Sequence, residues 1–211
     1  MCVDMTANSE YANIWWPPIK ARHPRTRSLH SASTRPASAA GSSSESAARS
    51  APRAAPILDI GCGSAEPMAG YLIGLGHPVF GVDSSAAMID ACRGRFPTQQ
   101  WIVADMRELA LPRQFSGILA WDSFFHLGYD DQRRMFPVFR RHAAPNAALM
   151  FTSGPAHGEA IGSLGGEPLY HASLDPAEYR SLLDRNGFRV VSHVAEDPTC
   201  GGHTIWLAQL A

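Results

Sequence analysis

The sequence predicts an α/β fold: one doubly wound, mainly parallel sheet of seven strands, helices on both faces, and an antiparallel C-terminal hairpin. Three observations carry this. After Pro56, short apolar runs of β character alternate with stretches of helical period, the order that produces right-handed crossovers between parallel strands. The first four runs each finish near Gly or Asp, the usual punctuation of a strand end. The last two runs are separated only by DPTCGG, too short for a crossover, so they pair antiparallel.

The strands read in order are ILDIG (57–61), PVFGVD (78–83), QWIVAD (100–105), SGILAWD (116–122), ALMFTS (148–153), RVVSHVAE (189–196) and HTIWLAQL (203–210). Between them, residues 65–75 space Met68, Leu72 and Leu75 on one helical face, and residues 85–95 do the same with Met88, Ile89 and Cys92. Residues 130–142 set Met135, Val138 and Phe139 amid charge. SLDPAEYRSLLDRNGF carries its own start and stop: Asp175 as cap, Pro176 in the first turn and Gly187 past the end. The Gly-rich stretch 153–171 is expected to be a long loop, and a loop of that length in a compact domain is usually a lid or an insert.

Before Pro56 the composition changes. Between Ala21 and Pro56 the only large apolar residue is Leu29, amid Ser, Ala, Arg and Pro. Such a stretch cannot bury enough surface to offset its ordering entropy, so residues 1–56 are expected to form a tail, poorly packed from residue 21, ahead of a domain at 57–211. Residues 1–56 hold seven basic against three acidic side chains and residues 57–211 eleven against sixteen, making the tail basic and the domain acidic. A solvated linker explains the tail's charge without any partner. The N-terminus lacks the basic-then-apolar order of a secretory signal, so the cytoplasm is the expected compartment, with no membrane association. Four scattered cysteines make neither a disulfide framework nor the paired CxxC of a zinc site, and no metal is assigned.

The chemistry lies at the first strand-to-helix turn, ILDIGCGSAEP. Gly61 and Gly63 allow a sharp turn and let a ligand approach the main chain. Asp59, two residues earlier, is expected to project from the strand end toward the crevice where open sheets bind ligands. A dinucleotide-binding turn would place a third glycine where Glu66 stands, and the Glu66 charge repels phosphate at a helix start. A phosphate-binding loop would need a lysine that this turn lacks. The turn therefore fits a nucleoside without phosphates. Asp83 ends the second strand, where a carboxylate accepts both ribose hydroxyls, and Asp105 ends the third, where it can accept from an exocyclic adenine amine. A single Asp at a strand end is as well explained by a helix cap; three on one sheet edge are not.

These segments resemble the class I S-adenosylmethionine-dependent methyltransferases. ILDIGCGSA is similar to their first motif, with Ala65 at its usual third glycine; GVDSSAAMID resembles the second, VADMREL the adenine-edge motif, and ILAWDSFFHL the motif at the mouth of the active site. The resemblance spans residues 56–211 and departs at the N-terminus, where family members usually carry an amphipathic helix over the cofactor. It implies S-adenosylmethionine as cofactor, held around Asp59, Gly61, Cys62, Gly63, Asp83, Ser84, Met88, Ala104, Asp105, Met106 and Trp121.

Methyl transfer from a sulfonium needs mainly a nucleophile held in line, plus a base where that nucleophile arrives protonated. WDSFFHLG supplies the candidates: Asp122 to hold the substrate or the methionine ammonium, and His126 as base at neutral pH. A helix-start residue making one hydrogen bond is the plainer account of His126. Phe124 and Phe125 read first as packing, while Trp121 is expected at the cofactor. Phe125, His157 and Tyr170 are the candidate substrate contacts, with Glu159 and His171 as further polar handles. WDSF in place of Asn-Pro-Pro-aromatic, and an acidic domain without a basic stripe, argue against a nucleic-acid substrate and leave a small molecule as expected partner. Two rivals remain, an NAD-dependent oxidoreductase and a catalytically impaired core. Oligomeric state is left open.

Overall fold

The computed structural model describes residues 55–211, so the tail expected over residues 1–56 lies, but for its last two residues, outside the described part. Strands β1 (Ile57–Ile60), β2 (Val79–Asp83), β3 (Gln100–Val103), β4 (Phe115–Ala120) and β5 (Ala143–Ser153) are joined by helices α1 (Met68–Gly74), α2 (Ala86–Arg95) and α3 (Tyr129–His142). A hairpin, β6 (Gly158–Leu164) and β7 (Glu167–Ser173), precedes α4 (Pro176–Arg185), β8 (Phe188–Asp197) and β9 (His203–Leu210). The seven-stranded sheet has the order β3-β2-β1-β4-β5-β9-β8. Strands β1 to β5 pair parallel, and β9 runs antiparallel to both β5 and β8. No described helix is long and apolar enough to cross a membrane.

Alternation along the strands divides the core in two. Leu58 and Ile60 of β1 and Ile118 and Ala120 of β4 face a main core closed by Phe136 and Phe139 of α3 and Tyr179 and Leu183 of α4. Leu119, with Met68 of α1, and Val79, with Ile89 and Cys92 of α2, lie in smaller clusters on the other face. By the same parity Asp59 belongs to the face of α1 and α2. The expected caps are present: Asp175 accepts from the Ala177 amide at 2.7 Å, Pro176 opens α4, and Gly187 follows it at φ 78°. Acidic Asp130 and Asp131 begin α3 and Arg140 and Arg141 lie in its last turn, each favourable to the helix dipole.

One expectation is corrected. Residues 153–171 are not a loop: most of them form the β6–β7 hairpin, paired from Gly158–Ser173 to Leu164–Glu167. Gly165 and Gly166 make its two-residue turn at φ 62° and 90°, the doubly positive conformation that suits strand twist. Three hydrogen bonds fasten β7 to the domain. His126 Nδ1 meets the Tyr170 carbonyl at 3.0 Å, Gln132 Nε2 donates to the Ala172 carbonyl at 2.7 Å, and the Gly154 amide donates to Ser173 Oγ at 2.6 Å.

Candidate active site

The turn after β1 is built by close approach. Gly61 has φ 74°, and a Cβ there would lie 2.3 Å from Ser123 Cβ. Ser123 is fixed in turn by donating to the Ile60 carbonyl at 2.7 Å. The Gly61 and Cys62 amides donate to the Val82 carbonyl at 2.7 and 3.0 Å. Gly63 sits at φ 52° with open space beside it. Ala65 adopts φ 69°, the left-handed conformation a glycine would take freely, at a cost of about 1 kcal/mol.

Asp83 braces this turn. Its Oδ2 accepts from the Gly63 amide at 2.9 Å and its Oδ1 from the Ser85 amide at 2.8 Å. Asp59 lies nearby and is 3% exposed, beneath the turn rather than out in an open crevice. Burial, and then the Asp83 charge, push its carboxyl up to about 7. Burial and Asp59 likewise push up the Cys62 thiol, and the Cys92 thiol donates to the Gly63 carbonyl at 3.1 Å. Ser84 is exposed and Met88 is 42% exposed at the start of α2. Met106 Cε lies 3.2 Å from where a Gly61 Cβ would stand, and the Ala104 amide donates to the Asp83 carbonyl at 3.0 Å. Asp105 is engaged elsewhere: it caps the turn at 106–108 and pairs with Arg107, which also reaches Asp131 at 3.1 Å. Those bonds hold its carboxyl below the usual range. Asp59 and Asp83 therefore share one site, whereas Asp105 turns to an arginine.

Beyond β4 the side chains of WDSFFH separate. Trp121 is 8% exposed among Met68, Leu119, Met150 and Ile205, with its ring 5.3 Å from that of His203. It is chiefly a packing residue, because the strand parity that aims it at α1 also covers it. Phe124 is fully buried against Phe136, Phe139, Phe151 and Tyr179. Asp122 has φ 47° and is held on three sides: its amide donates to Thr152 Oγ1 at 2.9 Å, that hydroxyl donates to Oδ1 at 3.3 Å, and His203 Nε2 meets Oδ2 at 3.0 Å. His203 Nδ1 also contacts the Cys200 carbonyl at 2.6 Å. A carbonyl only accepts, so Nδ1 carries a proton toward Cys200 while Nε2 faces the Asp122 carboxylate. By the same logic His126 Nδ1 carries a proton toward the Tyr170 carbonyl.

A cavity of about 420 Å³ opens here, between the hairpin, the end of β5 and the turn before β9. Phe125, Ser153, Glu159, His171, Glu196 and His203 are among its walls. Tyr170 reaches it indirectly, donating from its hydroxyl to Glu159 Oε1 at 2.8 Å, while His157 stacks on Tyr129 at 4.7 Å. The His126 and His171 rings stand 4.9 Å apart. Burial, and then His126, lower the pKa of His171, whose Nε2 is buried without a partner. Sequence reading missed His203, Glu196 and Thr152 as parts of this site. The first stands 81 positions from the Asp122 it touches, and no local pattern connects them.

A sheet of this order, with a glycine turn after β1 braced by a carboxylate at the end of β2, is the class I S-adenosylmethionine-dependent methyltransferase fold. A family model described as a methyltransferase domain matches residues 57–146. Among similar solved structures is the glycopeptide N-methyltransferase MtfA complexed with S-adenosyl-L-homocysteine, at TM-score 0.63 and 17% identity, covering 77% of this chain and 86% of that one. CalS10, an amino pentose methyltransferase from Micromonospora echinaspora, gives 0.61 and 18%, covering 76% and 85%. The CcbJ methyltransferase from Streptomyces caelestis gives 0.62 and 20%, covering 75% and 84%. A search of curated protein sequences returns no match.

Proposed function

We propose that the chain is an S-adenosylmethionine-dependent methyltransferase that moves a methyl group, in line, onto a small-molecule acceptor. The observation that carries this reading is the Gly61–Gly63 turn braced on Asp83. Each Asp83 oxygen accepts one backbone amide, leaving a lone pair on each for a ribose hydroxyl. The open space at Gly63 suits a ligand lying against the main chain, and Asp59 beneath the turn offers a countercharge to an amino-acid ammonium. Met88 and Met106 give apolar surface for a base, with Ser84 and Ala104 at its edge. Glu66 folds back toward Gly70, where its charge still disfavours a pyrophosphate at this turn.

When bound, the cofactor supplies a methyl group activated on a sulfonium. The chain's own residues then have three tasks. Asp122, fixed by Thr152 and His203, orients the acceptor or the methionine ammonium. His126 Nε2 takes a proton from an acceptor that arrives protonated. Phe125 and the hairpin limit water around the reacting atoms.

Titration calorimetry with S-adenosylhomocysteine and with NAD tests the reading. Binding of the first, weakened by about 1.5–3 kcal/mol in Asp83→Ala through lost hydrogen bonds to a charged group, is the expected outcome. Binding of NAD alone would make the chain an oxidoreductase. Binding of neither would make it an impaired core.

A further inference from the structure

Resting on the methyltransferase reading, we infer that the acceptor is an amine, protonated in solution and carried on a small molecule. The cavity lies at the carboxyl ends of β4 and β5, where open α/β sheets place their ligands. Its charges decide which ligand it takes. Glu159 stands on the hairpin wall, its carboxylate oriented by the Tyr170 hydroxyl at 2.8 Å. Glu196, near the end of β8, also lines the cavity, its amide donating to Thr204 Oγ1 at 3.2 Å. Asp122 is reached through His203, which also lines the space.

No lysine or arginine is among the described residues lining it. His203 faces the Asp122 carboxylate at 3.0 Å, so the two glutamates leave the walls net negative. His171 adds no charge, because burial and the nearby His126 favour its neutral form. A carboxylate or phosphate acceptor meets repulsion here, and an alcohol gains nothing from the two glutamates. An ammonium gains charge-assisted hydrogen bonds to both. The rest of the lining is made of small residues, among them Ser153, Ser173, Thr204, Ala156 and Ala160, with Phe125 as the aromatic wall. A compact carrier suits that surface better than an extended one.

The chemistry balances. The ammonium gives one proton to solvent and becomes the free amine. Its lone pair forms the new N–C bond to the methyl carbon as the C–S bond breaks, that electron pair returning to sulfur. The products are S-adenosylhomocysteine and a methylated ammonium.

The test is methyl transfer from labelled S-adenosylmethionine by the full chain to matched amine, alcohol and carboxylate probes on pyranose, alkyl and benzyl skeletons. Turnover confined to amines is expected. Glu159→Gln and Glu196→Gln are each expected to raise KM for the best amine about tenfold, as for one lost charge-assisted contact, with kcat within about twofold and S-adenosylhomocysteine affinity unchanged. Turnover of alcohols or carboxylates, no turnover of any probe by chain that binds S-adenosylhomocysteine, or unchanged KM in both variants overturns the amine assignment. Failure to bind S-adenosylhomocysteine instead overturns the methyltransferase reading beneath it.

Discussion

Asp59 is held at about 7 because its carboxylate is buried beside that of Asp83, and this makes the folded chain hold a proton that the unfolded chain has released. Below about pH 4 both states are protonated, and above about pH 7 both are ionised. Between those limits folding is disfavoured progressively as pH rises. Asp59→Asn removes this dependence, so the variant should gain stability over the parent at pH 8, on the order of 2–4 kcal/mol, and little at pH 4. Denaturant melts at both pH values measure it. The two glycines of the turn are expected to differ. Gly63→Ala meets open space and only the strain of φ 52°, about 1 kcal/mol. Gly61→Ala drives a Cβ into Ser123 at 2.3 Å and must displace the turn or the segment that follows β4, so calorimetry should show the greater loss of S-adenosylhomocysteine binding in Gly61→Ala. At this scale the sequence was informative where chemistry is local: Asp59, Gly61, Gly63 and Asp83 fall within one turn and its neighbouring strand. It was silent on Asp122–His203, whose partners meet only through the placement of β9.

Gln132 joins three elements at once. From α3 its Nε2 donates to the Leu127 and Ala172 carbonyls at 2.8 and 2.7 Å, while its Oε1 accepts the Tyr179 hydroxyl of α4 at 2.6 Å. That hydroxyl accepts from the Leu174 amide at 3.0 Å. Gln132→Leu strands the buried Ala172 carbonyl and Tyr179 hydroxyl, at a cost of about 2–4 kcal/mol, and hydrogen exchange should show protection lost first in β7. Phe124→Ala opens the centre of the aromatic cluster at about 3–5 kcal/mol, whereas Phe125→Ala, at the cavity wall, should cost less stability and more activity. Helix α4 was readable because Asp175, Pro176 and Gly187 mark its ends chemically. The β6–β7 hairpin was not, because EAIGSLGGEPLYH shows neither steady alternation nor an apolar face. Its one usable signal was Gly165–Gly166 between two runs of strand length.

Across the whole molecule the pH dependence has two opposed sources. His142 is fully buried with Nε2 accepting from the Leu111 amide at 2.9 Å, and burial lowers its pKa. The unfolded chain takes up that proton first, so this contribution is intact above about pH 6.5 and lost as pH falls. His142→Gln should therefore flatten the acid side of the stability profile, while Asp59→Asn flattens the decline toward neutral pH, and the double variant should combine both effects. Strand order has a consequence for integrity as well. Strand β9 separates β8 from β5, so β8 touches the parallel strands only through a neighbour that is synthesised after it. Clipping the chain between residues 198 and 202 and removing the C-terminal fragment would cast β8 adrift. It would also lay open a row of unpaired amides and carbonyls along Leu149, Met150 and Phe151, a ready template for strand addition by another copy. Sedimentation of a chain ending at residue 197 should accordingly reveal polymer rather than a smaller folded particle.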